Sequence, residues 1–126
     1  MPDTFVHFEL PADDPAKLKK FYGGVFGWTF NTMPMPVGGG EYNMAMTTEQ
    51  GKPGINGGVY KRMNKDDKPR QYIGVASIDE SLKKVQSNGG KVAASKMAIP
   101  GIGWFAHITD PEGNSQALFQ DDKNAK

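Results

Sequence analysis

Cysteine is missing from all 126 residues. Disulfide staples, thiolate nucleophiles and sulfur-ligated zinc are thereby excluded. Histidine is scarce, at two residues, so any imidazole chemistry rests on His7 and His107. Charge of one sign is lacking as well: 15 Lys and Arg oppose 14 Asp and Glu, for a net charge of +1. No strong field results, and the basic residues (Lys17, Lys19, Lys20, Lys61, Arg62, Lys65) are scattered along the chain without interleaved aromatics. Nucleic acid and an anionic membrane surface are therefore not expected partners. No stretch approaches the ~20 apolar residues of a membrane span. Met1–Leu10 lacks a charged leader followed by an apolar run, and the expected location is the cytoplasm.

What remains has the length of one small domain, spanning 1–126. Thr4–Leu10 is rich in β-branched and aromatic residues and reads as a strand. Period two places Phe5, His7 and Glu9 on one face, and Val6, Phe8 and Leu10 on the other, the core face. Asp13 or Asp14, with Pro15, opens a helix whose apolar stripe is Leu18, Phe21, Tyr22 and Val25. Gly23, Gly24 and Gly27 are expected to end it. Strands follow at Trp28–Thr32, Tyr42–Thr48 and Ile55–Tyr60, with a Pro- and Gly-rich loop at Met33–Gly40. Asn64–Arg70 is polar and reads as a linker.

The second half repeats this order. Gln71–Ser77 is a strand, and Asp79 starts a helix striped by Ile78, Leu82 and Val85 and ended by Gly89-Gly90. Lys91–Ile99, Trp104–Thr109 and Ser115–Gln120 are strands, divided by turns at Pro100–Gly103 and Asp110–Asn114. The charged tail Asp121–Lys126 is expected to fray. The pattern is βαβββ (about 1–63), a linker, then βαβββ (about 70–121). Leu18-Lys19-Lys20 and Leu82-Lys83-Lys84 recur at similar depth in the two helices, as an internal duplication would leave them.

Three stretches carry a family resemblance. The first is Phe5–Leu10 followed by Phe21-Tyr22 and Val25-Phe26-Gly27-Trp28. The second runs from Tyr72–Val75 to Asn88–Val92, and the third is Ile99–Phe105 with Asp110-Pro111-Glu112-Gly113-Asn114. The chain resembles the vicinal-oxygen-chelate superfamily of glyoxalases, bleomycin-resistance proteins and extradiol dioxygenases. The Ile99–Phe105 segment resembles the branch described as related to lactoylglutathione lyase. The resemblance implies an α+β fold, two βαβββ units forming curved mixed sheets around a cup-shaped cavity. It also implies a homodimer.

In metal-dependent members of this superfamily a divalent ion in the cup is held by histidines from the first strands and carboxylates from the last strands. It acts there as a Lewis acid on a substrate anion. His7 matches the first of these positions. The equivalent in the second unit falls at Arg70, or at Gln71 or Tyr72 with the helices aligned. The last strand of the first unit, Ile55–Tyr60, has no carboxylate, and the last glutamate position is Ala117. One of four expected ligands is kept, and a lone imidazole does not hold a catalytic ion. No cofactor is identified, and a divalent metal is not expected to bind strongly.

Candidate site residues follow. His7 is a catalytic residue or metal ligand, against the plainer alternative of a satisfied strand histidine. Glu9, on the same strand face, is a ligand, a base or the imidazole's hydrogen-bond partner. Arg70, Tyr72, Trp104, Phe105 and His107 are candidate ligand contacts, although aromatics are more often packing residues. Phe105, His107 and Thr109 share a face whose direction is open. The glycine pairs make no phosphate loop, because no Lys-Ser/Thr follows. The expected function is binding of a small-molecule ligand in the cup without a full metal site. The alternatives are a metal-dependent lyase, isomerase or dioxygenase acting on a small oxygenated substrate through His7, and a metal-free enzyme using His7 and Glu9 as an acid–base pair.

Overall fold

The computed structural model describes residues 3–35 and 40–126. The elements are β1 (Thr4–Ala12), α1 (Pro15–Phe26), β2 (Thr29–Pro34), β3 (Glu41–Met46), β4 (Gly57–Lys61), β5 (Arg70–Gly74), α2 (Ile78–Ser87), β6 (Lys91–Ile99), β7 (Gly103–Thr109) and β8 (Ser115–Asp121). The βαβββ order therefore occurs twice, in an α+β fold. Of the expected 33–40 loop, Met33 and Pro34 belong to β2, and positions 36–39 lie outside the described residues. Among the described residues, no helix is long and apolar enough to cross a membrane.

The chain forms two compact units, residues 7–69 and residues 1–6 with 70–126. In the first, the strand order is β2-β3-β4-β1. β1 runs parallel to β4, with Glu9 opposite Gly58, and the other neighbours are antiparallel. In the second, the order is β6-β7-β8-β5, again with one parallel pair, Tyr72 opposite Ala117. Each pair of parallel strands is joined through a helix and two further strands, as parallel pairing requires a long crossover.

Helix α1 begins at Pro15, whose fixed φ suits the first turn, and Asp14 occupies the N-cap without a side-chain cap bond. It runs through Gly23 and Gly24 and ends at Gly27, which takes the left-handed conformation (φ 75°) and donates its N–H to the Gly23 carbonyl. The two internal glycines were expected to stop it. Gly23 instead serves a close approach: a Cβ there would lie 3.3 Å from the Trp28 carbonyl oxygen. The returning chain then stacks Trp28 on Tyr22 at 4.7 Å and beside Phe8 at 5.6 Å. The sequence stripe is thus split. Leu18 and Tyr22 are half-buried, while Phe21 (54%), Val25 (59%) and Phe26 (61%) remain exposed.

Helix α2 starts one residue ahead of the expected Asp79. Ser77 is its N-cap, accepting from the Glu80 N–H at 3.2 Å, and Asp79 and Glu80 sit in the first turn, where the helix dipole favours them. Ile78, fully buried, packs with Ala106, Ile108 and Leu118, flanked by Ile73, Leu82, Val85 and Trp104. That cluster fixes which face of β5-β8-β7 lies under the helix.

The tail does not fray. Gly101 N–H donates to the Ala125 carbonyl (3.0 Å), Asp122 N–H to the Ile102 carbonyl (2.9 Å) and Trp104 Nε1 to the Asp122 carboxylate (3.0 Å). Ala125 is 4% exposed. The turn at Pro100–Gly103 presents backbone groups that would otherwise go unpaired, and the tail satisfies them. At the other turn, Asp110 accepts from the backbone of Glu112 and Asn114 and from the Asn114 side chain. The Asn114 side chain first, then its backbone N–H, holds the Asp110 carboxyl below its ordinary range.

Candidate functional site

On β1, Phe8 meets Trp28 on the α1 side, so His7 and Glu9 lie on the face away from the helix. Register puts Gly58 and Tyr60 of β4 and Tyr42 and Met44 of β3 on that same face. Tyr42 links the two candidates. Its hydroxyl donates to Glu9 Oε2 at 3.0 Å and lies 2.7 Å from His7 Nε2. A phenol has one proton. With that proton on Glu9, the contact to His7 is an Nε2–H donating to the Tyr42 oxygen, which assigns Nδ1 as the unprotonated nitrogen. Burial pushes the His7 imidazole down to a pKa of about 4, so it is neutral at physiological pH. The ring stacks on that of Tyr42 at 6.2 Å.

Tyr42 did not emerge from the sequence as a site residue. The signal that marks it is Gly58. A Cβ at that position would come within 2.0 Å of the Tyr42 hydroxyl and Cζ. The tyrosine therefore crosses β4 through the space left by a missing side chain, and glycine inside a strand is a mark of such close approach.

The second cluster lies in the unit of residues 1–6 and 70–126. Ala106 and Ile108 face α2, so Phe105, His107 and Thr109 face the opposite way. Register adds Tyr72, Ala117 and Phe119 to their face, and period two along β5 adds Arg70. Arg70 Nη1 is 3.4 Å from His107 Nε2, and Phe105 lies 5.6 Å from the His107 ring. Among the described residues, the buried Arg70 Nε has no hydrogen-bond partner. Trp104, by contrast, belongs to the α2 face. It flanks the core cluster, donates to Asp122 and carries the Lys96 ammonium 4.6 Å over its ring. Its role there is packing, and it does not share a face with Phe105 and His107. Gln71 likewise alternates away from Arg70 and Tyr72.

A metal does not fit this donor set. Among the described residues, the carboxylate that shares the face of His7 comes from β1 itself, opposite Gly58 and already bonded to Tyr42, while β4 offers Gly58 and Tyr60 there. Ala117 stands on the face of β8 where a carboxylate would be needed. Among the described residues, no group of three or more His, Asp or Glu side chains is placed to hold an ion.

Comparison with known proteins gives relatives by sequence and a shared fold by structure. Residues 4–38 match the family model described as bleomycin resistance protein-like N-terminal. A Mycobacterium bovis protein named "Putative glyoxylase CFP32" is 33% identical over 119 residues, covering 89% of this chain and 43% of that protein. The chain thus spans less than half the length of that relative. A glyoxylase-like domain-containing protein of Didymella fabae is 30% identical over 115 residues, covering 87% of this chain and 88% of that one. Among solved structures, a glyoxalase/bleomycin resistance protein/dioxygenase superfamily member from Vibrio splendidus superposes with a TM-score of 0.64 at 15% identity, covering 95% of this chain and 100% of the other.

Proposed function

The chain belongs to the glyoxalase/bleomycin-resistance/dioxygenase (vicinal-oxygen-chelate) superfamily, and from that premise we propose that it binds a small organic molecule without a resident metal ion. The observation that carries this reading is the Tyr42 hydroxyl, seated between His7 and Glu9. A catalytic ion is held by several protein ligands acting together, and here the Tyr42 hydroxyl ties the imidazole and the carboxylate of this face to each other. The aromatic and amphipathic groups on the helix-free faces are the kind that line small-molecule sites, with few polar groups to fix orientation. Superfamily membership alone does not carry an activity.

The test is metal content. Tag-free protein is exposed to nickel, zinc, iron and manganese, desalted and assayed by mass spectrometry beside His7→Ala. Both are expected to retain far less than one ion per chain, and both are then screened against a small-molecule library by thermal shift. Near-stoichiometric metal that disappears in His7→Ala refutes the proposal.

A second reading is favoured by the hydrogen-bond chain itself, namely metal-free acid–base chemistry. One proton accepted at Nδ1 of His7 is matched by transfer of the Nε2 proton to the Tyr42 oxygen and of the Tyr42 proton to Glu9. The imidazole, the phenol and the protonated Glu9 all end neutral, so the negative charge passes from Glu9 to the ligand that gave up the proton, without a metal. Ligands found by the screen and incubated in D2O discriminate the two. Carbon-bound hydrogen exchange that is lost in Glu9→Gln supports catalysis, and absence of exchange leaves binding.

A further inference from the structure

Arg70 is a cation without an anion. A guanidinium is a planar, delocalised cation, and among the described residues Arg70 makes no ion pair. Its Nη1 makes a long 3.4 Å approach to His107 Nε2, and its Nε is buried with no acceptor among the described residues. An imidazole nitrogen neutralises nothing. Arg70 as a residue is half-buried, but buried donors in native proteins are nearly always paired, and an unpaired buried donor on a guanidinium needs a reason. The surroundings are apolar and aromatic: Phe105 against His107, with Tyr72, Ala117 and Phe119 in register on the same face. Position 70 is also where the superfamily resemblance expects a metal ligand of the second unit.

We propose that Arg70 is a fixed cation that takes over the electrostatic task of the absent metal, holding the carboxylate of an aromatic or amphipathic organic acid. This rests on the small-molecule reading above and narrows its ligand class. The planar fork of a guanidinium matches a carboxylate with two parallel hydrogen bonds, and the anion supplies the acceptor that this cation lacks. Phe105 and the His107 ring offer flat surface to the organic part. An oxygen anion held this way needs no ion of higher charge, and alanine at position 117 suits it: a negative side chain on that face would compete with the ligand for Arg70. A phosphate presents the same acceptor chemistry from a different source, so the test separates the two.

The experiment is NMR titration of the full chain with four probes: benzoate, its neutral isostere benzamide, phenyl phosphate and inorganic phosphate. The Arg70 Nε–H signal and the His107 ring signals are followed. Benzoate is expected to move both and to bind at least tenfold more tightly than benzamide. Arg70→Gln is expected to abolish that preference, and Arg70→Lys, which keeps charge but loses the fork, to retain only part of it. The thermal midpoint of Arg70→Gln without ligand is expected to match or exceed that of the wild type, since an uncompensated charge is removed; a lower midpoint would mean that the arginine is a structural residue and would overturn the proposal. Equal binding of benzoate and benzamide would overturn it while leaving small-molecule binding intact. Phosphates bound tenfold more tightly than benzoate would overturn the carboxylate assignment. If none of the four binds at tens of millimolar and the library screen is also blank, both readings fail together.

Discussion

Acid should destabilise this protein through His7 by an amount that can be worked out in advance. The imidazole has an ordinary pKa of 6.5, as in the unfolded chain, and burial lowers it to about 4 in the fold. Above pH 6.5 both states hold it neutral and it contributes nothing to pH dependence. As pH falls from 6.5 to 4, the unfolded chain takes up a proton that the folded one refuses, so stability is lost across that window. Below pH 4 both states are protonated and the loss levels off. At about 1.4 kcal/mol per pKa unit, the full loss is roughly 3 kcal/mol, of which about 2 kcal/mol is already gone at pH 5. For a domain of this size that is a large share of the stability to be expected. Urea unfolding at pH 7.5, 6, 5 and 4, run on the wild type and on His7→Gln, isolates the term. Glutamine can still donate towards Tyr42 and does not titrate. The wild type should lose about 2 kcal/mol more than the variant between pH 7.5 and pH 5. Parallel curves for the two proteins, or an imidazole that titrates near 6.5 by NMR, would refute the argument from burial.

Three further outcomes can be checked directly. Tyr42→Phe removes the donor to Glu9 and the acceptor of His7 at once, and is expected to cost about 1–3 kcal/mol in urea unfolding while changing the His7 ring nitrogen shifts. Ile78→Ala, at a fully buried position under α2, is expected to cost about 2–5 kcal/mol, read as a lower urea midpoint with an unchanged slope. Asp122→Ala removes the acceptor of the Trp104 indole, and hydrogen exchange at the Gly101 amide, which is bonded to Ala125, should accelerate while the α2 core amides keep their protection.

Much of the architecture was legible in the chain because it is written in local terms. β6 starts at Lys91 and stops at Ile99, where turn residues flank the strand, and Gly27 ends α1 because only glycine takes its conformation at no cost. The faces of His7 and Glu9 followed from period two. What was not legible depends on pairs distant in sequence. Tyr42 reaches Glu9, 33 residues away, only because β3 and β1 flank the same glycine of β4. The tail is held by hydrogen bonds to a turn 20 residues upstream, so its composition suggested fraying where its partners forbid it. Phe21 and Val25 obey the helical period of a buried stripe, yet stay exposed because the aromatic cover of Trp28 and Phe8 reaches only the Tyr22 side. The direction of the His107 face needed the α2 core to be located first.

Gly58 carries no functional group, yet the chemistry of the site depends on it. The atoms that an alanine methyl would strike are the far end of Tyr42, its Cζ and hydroxyl. A side-chain tip can swing away where backbone cannot, so such a chain would still fold while its tyrosine left His7 and Glu9. In evolutionary terms the position is a ratchet. Once a methyl has displaced the hydroxyl, its bonds to His7 and Glu9 no longer select tyrosine at residue 42. Reversal at position 58 alone then restores the gap but not the ring that filled it. A lineage that takes this step loses the site through its scaffold before it loses any residue that would be recognised as part of it.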